Sequence, residues 1–150
     1  MAGMREIRQG RFGELDGPTV FALARLRQSV FVVEQECPYP DLDGHDTAAS
    51  TVHFWAAGDE PGEAVACLRL LHDGASLRIG RVCCVPEERG TGLSGRLMAA
   101  ALDLAGPEAD VVLDSQTYAA GFYRKYGFVE DGEEYVEDGI PHVPMRRAGK

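Results

Sequence analysis

A chain of 150 residues with 45% hydrophobic and 26% charged side chains is long enough to bury a core and is read as one domain over residues 1–150. Its formal net charge of −9 argues against a nucleic-acid or anionic-membrane surface, and no apolar run is long enough to cross a bilayer. Met1 to Gly10 lacks the apolar segment of a secretory signal, so a cytoplasmic location is expected; the four cysteines have no C-x-x-C spacing and suggest neither a zinc site nor a disulfide framework.

Arg5 to Arg8 reads as a first edge strand. Gly17-Pro18 then opens a helix, with Asp16 as its cap and Val20, Leu23, Ala24 and Arg27 on one face. Val30 to Gln35 follows, and Cys37-Pro38-Tyr39-Pro40 breaks regular structure. Asp41 to Asp46 vaguely suggests a calcium loop, but Val52 stands where that loop needs a glutamate, so no metal site is assigned. Val52 to Ala57, Ala64 to Leu71 and Leu77 to Val85 read as strands joined by short turns, hence antiparallel neighbours. Cys83 and Cys84, adjacent on a strand, should face opposite ways. Cys37, in a loop, is the one cysteine worth testing for reactivity.

The densest signal is Arg81 to Met98. Val82 to Val85 is a buried strand stopped by Pro86, Gly90, Gly92 and Gly95 lie in a turn, and Leu93, Leu97, Ala101 and Leu104 make the apolar stripe of a helix from Gly92 to Ala105. A helix start has unpaired N–H groups and a positive dipole end, and glycines let the backbone come close to phosphate oxygens, so the turn suits an anion, with Arg89 adding a charge-assisted contact. A plain chain reversal is the alternative. Gly90 to Gly95 is literally G-x-G-x-x-G and Asp114 follows at a dinucleotide-like distance, yet Pro86 to Arg89 separates strand from first glycine, and too little chain remains for a doubly wound sheet. Beyond the helix, Val111 to Ser115 reads as a strand, Thr117 to Tyr126 as a helix, and the regions near Phe128 and from His142 to Arg146 as strands.

Arg89-Gly90-Thr91-Gly92-Leu93-Ser94 resembles the [Q/R]-x-x-G-x-[G/A] signature of the GNAT superfamily of N-acetyltransferases, with Ser94 departing from the last position. Phe122-Tyr123-Arg124-Lys125-Tyr126-Gly127-Phe128 resembles that family's Y-x-x-x-G-F. Leu26 to Gln35, Cys37-Pro38-Tyr39, Asp43-Gly44 and Tyr135 to His142 resemble the ElaA-like branch, so the likeness extends over most of Leu26 to Met145.

The resemblance implies an α+β fold, a mixed and mostly antiparallel sheet flanked by helices, and transfer of acetyl from acetyl-coenzyme A to a primary amine of a small molecule or peptide. It implies that the backbone of Val82, Cys83, Cys84 and Val85 binds the pantetheine arm, that Arg89, Gly90, Thr91, Gly92, Leu93 and Ser94 hold the pyrophosphate, and that Gln116 and Tyr123 touch the coenzyme. Tyr123 is the expected acid for the leaving thiolate, and Glu34 or His142 the expected base. A tyrosine packed on the sheet, its hydroxyl satisfied by backbone, is the structural alternative for Tyr123. His53 and His72 are read as strand and turn residues. Glu36, Asp41, Asp43 and Asp46, with Glu133, Glu134, Glu137 and Asp138, are expected to make the acceptor mouth negative or else to be simply solvated. A monomer or homodimer is expected. The alternatives are an acyl-coenzyme A sensor without turnover and, less favoured, a dinucleotide-dependent oxidoreductase.

Overall fold

The computed structural model describes residues 4–150; residues 1–3, the start of the stretch tested for a secretory signal, lie outside it. The strands β1 (Ile7–Gly10), β2 (Val52–Ala57), β3 (Ala64–Asp73) and β4 (Ser76–Cys84) form an antiparallel meander, with α1 (Gly17–Arg27) between β1 and β2. Next, α2 (Leu93–Ala105) crosses over to β5 (Val111–Gln116), which pairs parallel to β4. A short α3 (Ala120–Arg124) leads to β6 (Val129–Glu130), β7 (Tyr135–Glu137) and β8 (Ile140–Arg147), and β8 pairs antiparallel with all three of β5, β6 and β7. The result is the mixed, mostly antiparallel α+β sheet that the resemblance implied.

Local chemistry explains the helix boundaries. Asp16 caps α1 by accepting from the Thr19 N–H at 2.9 Å, and Pro18 sits in the first turn, where its missing donor costs nothing. The buried face of α1 is Ala22, Leu23, Leu26 and Arg27, not the expected set with Val20 and Ala24, because Arg27, only 3% exposed, turns the helix so that its guanidinium reaches buried carboxylates. The expected helix from Thr117 to Tyr126 is also shorter. A 3-10 turn, Thr117–Ala119, precedes α3, and the chain reverses where the Tyr126 and Phe128 N–H groups both reach back to the Tyr123 carbonyl, with Gly127 at φ +91°.

Two apolar clusters cover the two faces of the sheet. Phe54, Leu68, Ile79, Leu97, Met98 and Met145 belong to the α2 side, and Leu23, Leu26, Trp55, Cys67 and Cys83 to the α1 side. Cys84 joins the first cluster and Cys83 the second, as alternation along a strand requires.

The β3–β4 ladder contains one irregularity. Cys67 pairs with Cys83 but Arg69 pairs with Gly80, so β4 carries an extra residue between them, and Arg81 adopts φ +52°. A left-handed arginine is strained and has to be held. Arg81 Nε lies 2.9 Å from Asp41 Oδ1, and its Nη2 donates to the Asp41 carbonyl at 3.0 Å. Arg27 donates to Asp41 at 2.9 Å and Asp46 at 2.6 Å, while Arg69 donates to Asp43 at 2.7 Å and Asp46 at 2.9 Å. Three arginines thus meet three aspartates beneath the loop that follows α1.

Removing one partner from such a buried set leaves an unpaired charge. Arg27→Leu is expected to cost about 3–5 kcal/mol, read as a lower urea midpoint at unchanged slope. Burial alone would raise the Asp46 pKa, but hydrogen bonds from Arg27, the Asp43 amide and Arg69, with the Arg27 charge, hold it down at about 2. A depressed carboxylate stabilises the fold above its unfolded pKa, about 4, and loses that contribution as pH falls toward 2. Urea midpoints should therefore fall between pH 4 and 2, and Asp46→Asn should flatten that fall; an unchanged slope in the variant would contradict it.

Candidate active site

Strands β4 and β5 pair at only two positions, Leu77 with Val111 and Arg78 with Val112, closed by the Leu77 N–H donating to the Asp110 carbonyl at 2.9 Å. Beyond Arg78 they part. The bulge bends β4 with β3, while β5 stays with β8 as far as Gln116 opposite His142. The Val85 N–H donates to Val65 of β3 at 2.9 Å, so by strand alternation the Cys84 N–H faces the opposite way, into the gap. A cavity of about 620 Å³ occupies this region, walled by both strand ends, the segment after α1 and the β7–β8 hairpin.

That segment is a π-helix, Gln28–Glu34, which continues α1 with wide turns: the Gln35 N–H bonds the Val30 carbonyl and Cys37 the Val32 carbonyl, each at 3.2 Å. The run Val30-Phe31-Val32-Val33 places three β-branched side chains in one helical turn, where they crowd the preceding one. Glu36 ends it at φ +56°. Phe31, Glu34 and Gln35 thereby line the cavity, as does Tyr39 below them.

At the other end, a 3-10 turn, Pro86–Glu88, leads to Gly90 at φ +79° and Gly92 at φ +85°, both with open space where a Cβ would stand. No side chain caps α2 and its first turn holds no acid, in contrast to the Asp16 cap of α1. The first amides of α2 are therefore left for an outside acceptor. Gly95 does not belong to the turn, as the sequence suggested, but lies inside α2: its Cβ would fall 2.3 Å from the Tyr126 hydroxyl, so its role is helix packing.

Arg89 leaves this cradle and spans the gap. Its Nε donates to the Cys84 carbonyl at 3.0 Å, and Nη1 and Nη2 each donate to one Glu34 oxygen at 2.8 Å. The guanidinium holds the Glu34 carboxyl below its ordinary range, chiefly by these hydrogen bonds.

Tyr123 and His142 face the same cavity. Tyr123 is 9% exposed between Phe122 and Phe128, burial pushes its hydroxyl well above the usual phenol range, and among the described residues that hydroxyl has no hydrogen-bond partner. The backbone-satisfied alternative is thus not what the fold builds. His142 Nδ1 lies 2.7 Å from the Ile140 carbonyl, which can only accept, so Nδ1 is the donor and, in the neutral ring, Nε2 is the acceptor nitrogen. Its ring stacks on Tyr135 at 5.6 Å. Gln116 donates to the Gln35 side chain at 3.4 Å, linking β5 to the π-helix.

The remaining candidates sort themselves. Cys37, the cysteine singled out for a reactivity test, is buried in its loop with its thiol against the Gln35 and Asp138 carbonyls. His53 is buried in β2 with Nε2 2.9 Å from the Asp46 carbonyl, and His72 is exposed at the end of β3. Asp41, Asp43 and Asp46 do not charge the acceptor mouth, since Arg27, Arg69 and Arg81 neutralise them; Glu36, Glu133, Glu134, Glu137 and Asp138 are exposed and unpaired among the described residues. Phe31, Gln35 and Tyr39 were missed by sequence reasoning, and only the ElaA-like block around them pointed here.

Residues 31–148 match the family described as Acetyltransferase (GNAT) domain. A UPF0039 protein of Mycobacterium tuberculosis is 46% identical over 140 residues, covering 91% of this chain and 88% of the relative. The crystal structure of Escherichia coli ElaA superposes with a TM-score of 0.89 at 35% identity, covering 96% of this chain and 99% of that one. An acyl-CoA N-acyltransferase from Pseudomonas aeruginosa superposes with a TM-score of 0.89 at 39% identity, covering 97% and 100%.

If the bare start of α2 is an anion cradle, inorganic pyrophosphate titrated into 15N-labelled protein should shift the amides of Gly92 to Gly95 saturably. Shifts confined to a separate cavity lined by Arg146, Arg147 and Lys150 would contradict it.

Proposed function

The chain belongs to the GNAT acetyltransferase family and is an acyltransferase, and from that premise we propose that it moves an acetyl group from acetyl-coenzyme A to a primary amine by direct attack in a ternary complex. The observation that carries this reading is the gap between β4 and β5, an unpaired strand edge inside the sheet that ends at an uncapped helix.

Each part of the coenzyme has a matching feature. The extended pantetheine arm, with its amides, suits the gap-facing edge of Val82 to Val85 as an added strand would, with the Cys84 N–H open although the Cys84 carbonyl already accepts from Arg89. The diphosphate suits Gly90 to Ser94, where backbone N–H groups and the α2 dipole favour negative charge. An amide facing the gap, as at Cys84, suits the thioester carbonyl as its charge develops. Gln116, tied to Gln35 and lining the cavity, has a side-chain amide suited to a hydrogen bond with the coenzyme.

The reaction forms one C–N bond and breaks one C–S bond. An alkylammonium has a pKa of about 10, so the attacking nitrogen must first lose a proton. His142 Nε2, with its lone pair fixed by the Nδ1–H···O=C bond to Ile140, is the better supported base. Glu34, the other candidate, is stabilised as a carboxylate by Arg89 and is a weaker proton acceptor for it. The neutral nitrogen adds to the carbonyl carbon, the tetrahedral oxyanion collapses, the coenzyme thiolate leaves with the Tyr123 phenolic proton, and the surplus proton on the new amide nitrogen passes through solvent to the tyrosinate. Burial keeps Tyr123 protonated until that moment.

Tyr123→Phe should retain coenzyme affinity within about threefold and lower kcat about 100-fold. His142→Gln should lower kcat about 100-fold while leaving coenzyme binding intact. An amine panel read by free thiol release tests the whole reading: tight acetyl-coenzyme A binding with no turnover on any amine would favour the sensor instead.

A further inference from the structure

Two residues expected in different roles, Arg89 on the diphosphate and Glu34 on the attacking amine, instead hold each other. Both Glu34 oxygens accept from Arg89 at 2.8 Å, and the third guanidinium donor, Nε, is bound to the Cys84 carbonyl at 3.0 Å. A fork engaged on both prongs and its stem has a fixed direction, which a lysine at this position would not.

The pair adds a charged, directional tie between elements that otherwise meet through the apolar cluster shared by Val30, Phe31, Cys83 and Val85. Glu34 ends the π-helix that walls the acceptor side, and Arg89 sits between the last residue of β4 and the glycine cradle. The π-helix depends on long-reach bonds such as Gln35 N–H to Val30, which are weak guards of its position. Both side chains are partly exposed, Arg89 at 45% and Glu34 at 39%, so the pair adds little to global stability and its consequence is local geometry. Its net charge is zero, which leaves attraction for a diphosphate to the amides and dipole of α2.

We propose that Glu34 and Arg89 form a clamp that fixes the acceptor wall to the mouth of the coenzyme gap, so that Glu34 is a positioning residue and Arg89 does not contact the diphosphate. The clamp rests on the acetyl-transfer reading for its kinetic consequences but not for its existence. Loosening either half lets the π-helix drift from β4, widening the acceptor side without removing the cradle.

Glu34→Ala, Arg89→Ala and the double variant test it, first without coenzyme. Amide hydrogen exchange at Gln35 and Cys37 should quicken about tenfold in each single variant and no further in the double. Unchanged exchange overturns the clamp, whatever the reaction is. Acetyl-coenzyme A calorimetry and steady-state kinetics follow. The clamp predicts that both single variants raise KM for the amine about tenfold, that coenzyme affinity falls less than about threefold in either, and that the double variant matches the singles. If Arg89 contacts the diphosphate, Arg89→Ala weakens coenzyme binding more than tenfold while Glu34→Ala leaves or tightens it, which overturns the proposal. Glu34→Gln keeps one acceptor for Arg89 and should give an intermediate KM with the acidic limb of the pH profile intact; loss of that limb would make Glu34 the base. Failure of the wild-type protein to bind acetyl-coenzyme A would count against the function proposed above and leave the exchange result to decide the clamp.

Discussion

Two adjacent strands that begin as a parallel pair and then part create the problem around which this molecule is arranged. A sheet interior normally closes every backbone N–H and C=O on a neighbour, because an unpaired buried peptide group costs as much as a lost hydrogen bond. Here the ladder between β4 and β5 stops after Arg78 and Val112, and the edges beyond it line a cavity of about 620 Å³. An extended ligand carrying its own amides can complete such edges. That single omission leaves an open backbone edge inside the sheet, the feature on which the proposed coenzyme site rests.

Holding the gap open falls to features on the β4 side. The extra residue at Arg81 bends the strand, and its strained left-handed backbone is secured by Asp41. Asp41 is fixed in turn by Arg27 of α1, so helix, loop and bulge form one charge-balanced unit of three arginines and three aspartates. The same helix runs on as the π-segment that lines the cavity. One element thus anchors the bulge with its C-terminal end and shapes the site with its continuation. A rigid floor and a wall carried by wider, weaker turns suit a site that must bind one ligand in a fixed pose and admit a second.

Much of this was legible in the residues, and the failures have physical causes. Gly90 and Gly92 announced a phosphate-type turn because positive φ is what glycine supplies cheaply, and both adopt it. Gly95 fitted the same pattern but answers to a partner far along the chain, Tyr126, which no local reading can locate. Asp41, Asp43 and Asp46 looked like a solvated acidic run because Arg27, Arg69 and Arg81 are separated from them in sequence. The bulge left no mark, since arginine is not a residue that signals a left-handed backbone. The π-helix was hidden for another reason: Val30 to Val33 has neither the alternation of a half-buried strand nor the stripe of an α-helix. The meander and the crossover through α2 follow from short-range rules and were readable, whereas the final hairpin, whose Asp138-Gly139 turn has φ of +51° and +76°, was signalled only by the family resemblance of Tyr135 to His142.

A crystal structure of the protein with acetyl-coenzyme A tests the central claim most directly. The account predicts pantetheine lying between β4 and β5 with its amides bonded to the freed edge of Val82 to Val85, and the diphosphate on the amides opening α2. Coenzyme bound elsewhere, or a β4–β5 ladder that closes up with the arm outside it, would contradict it.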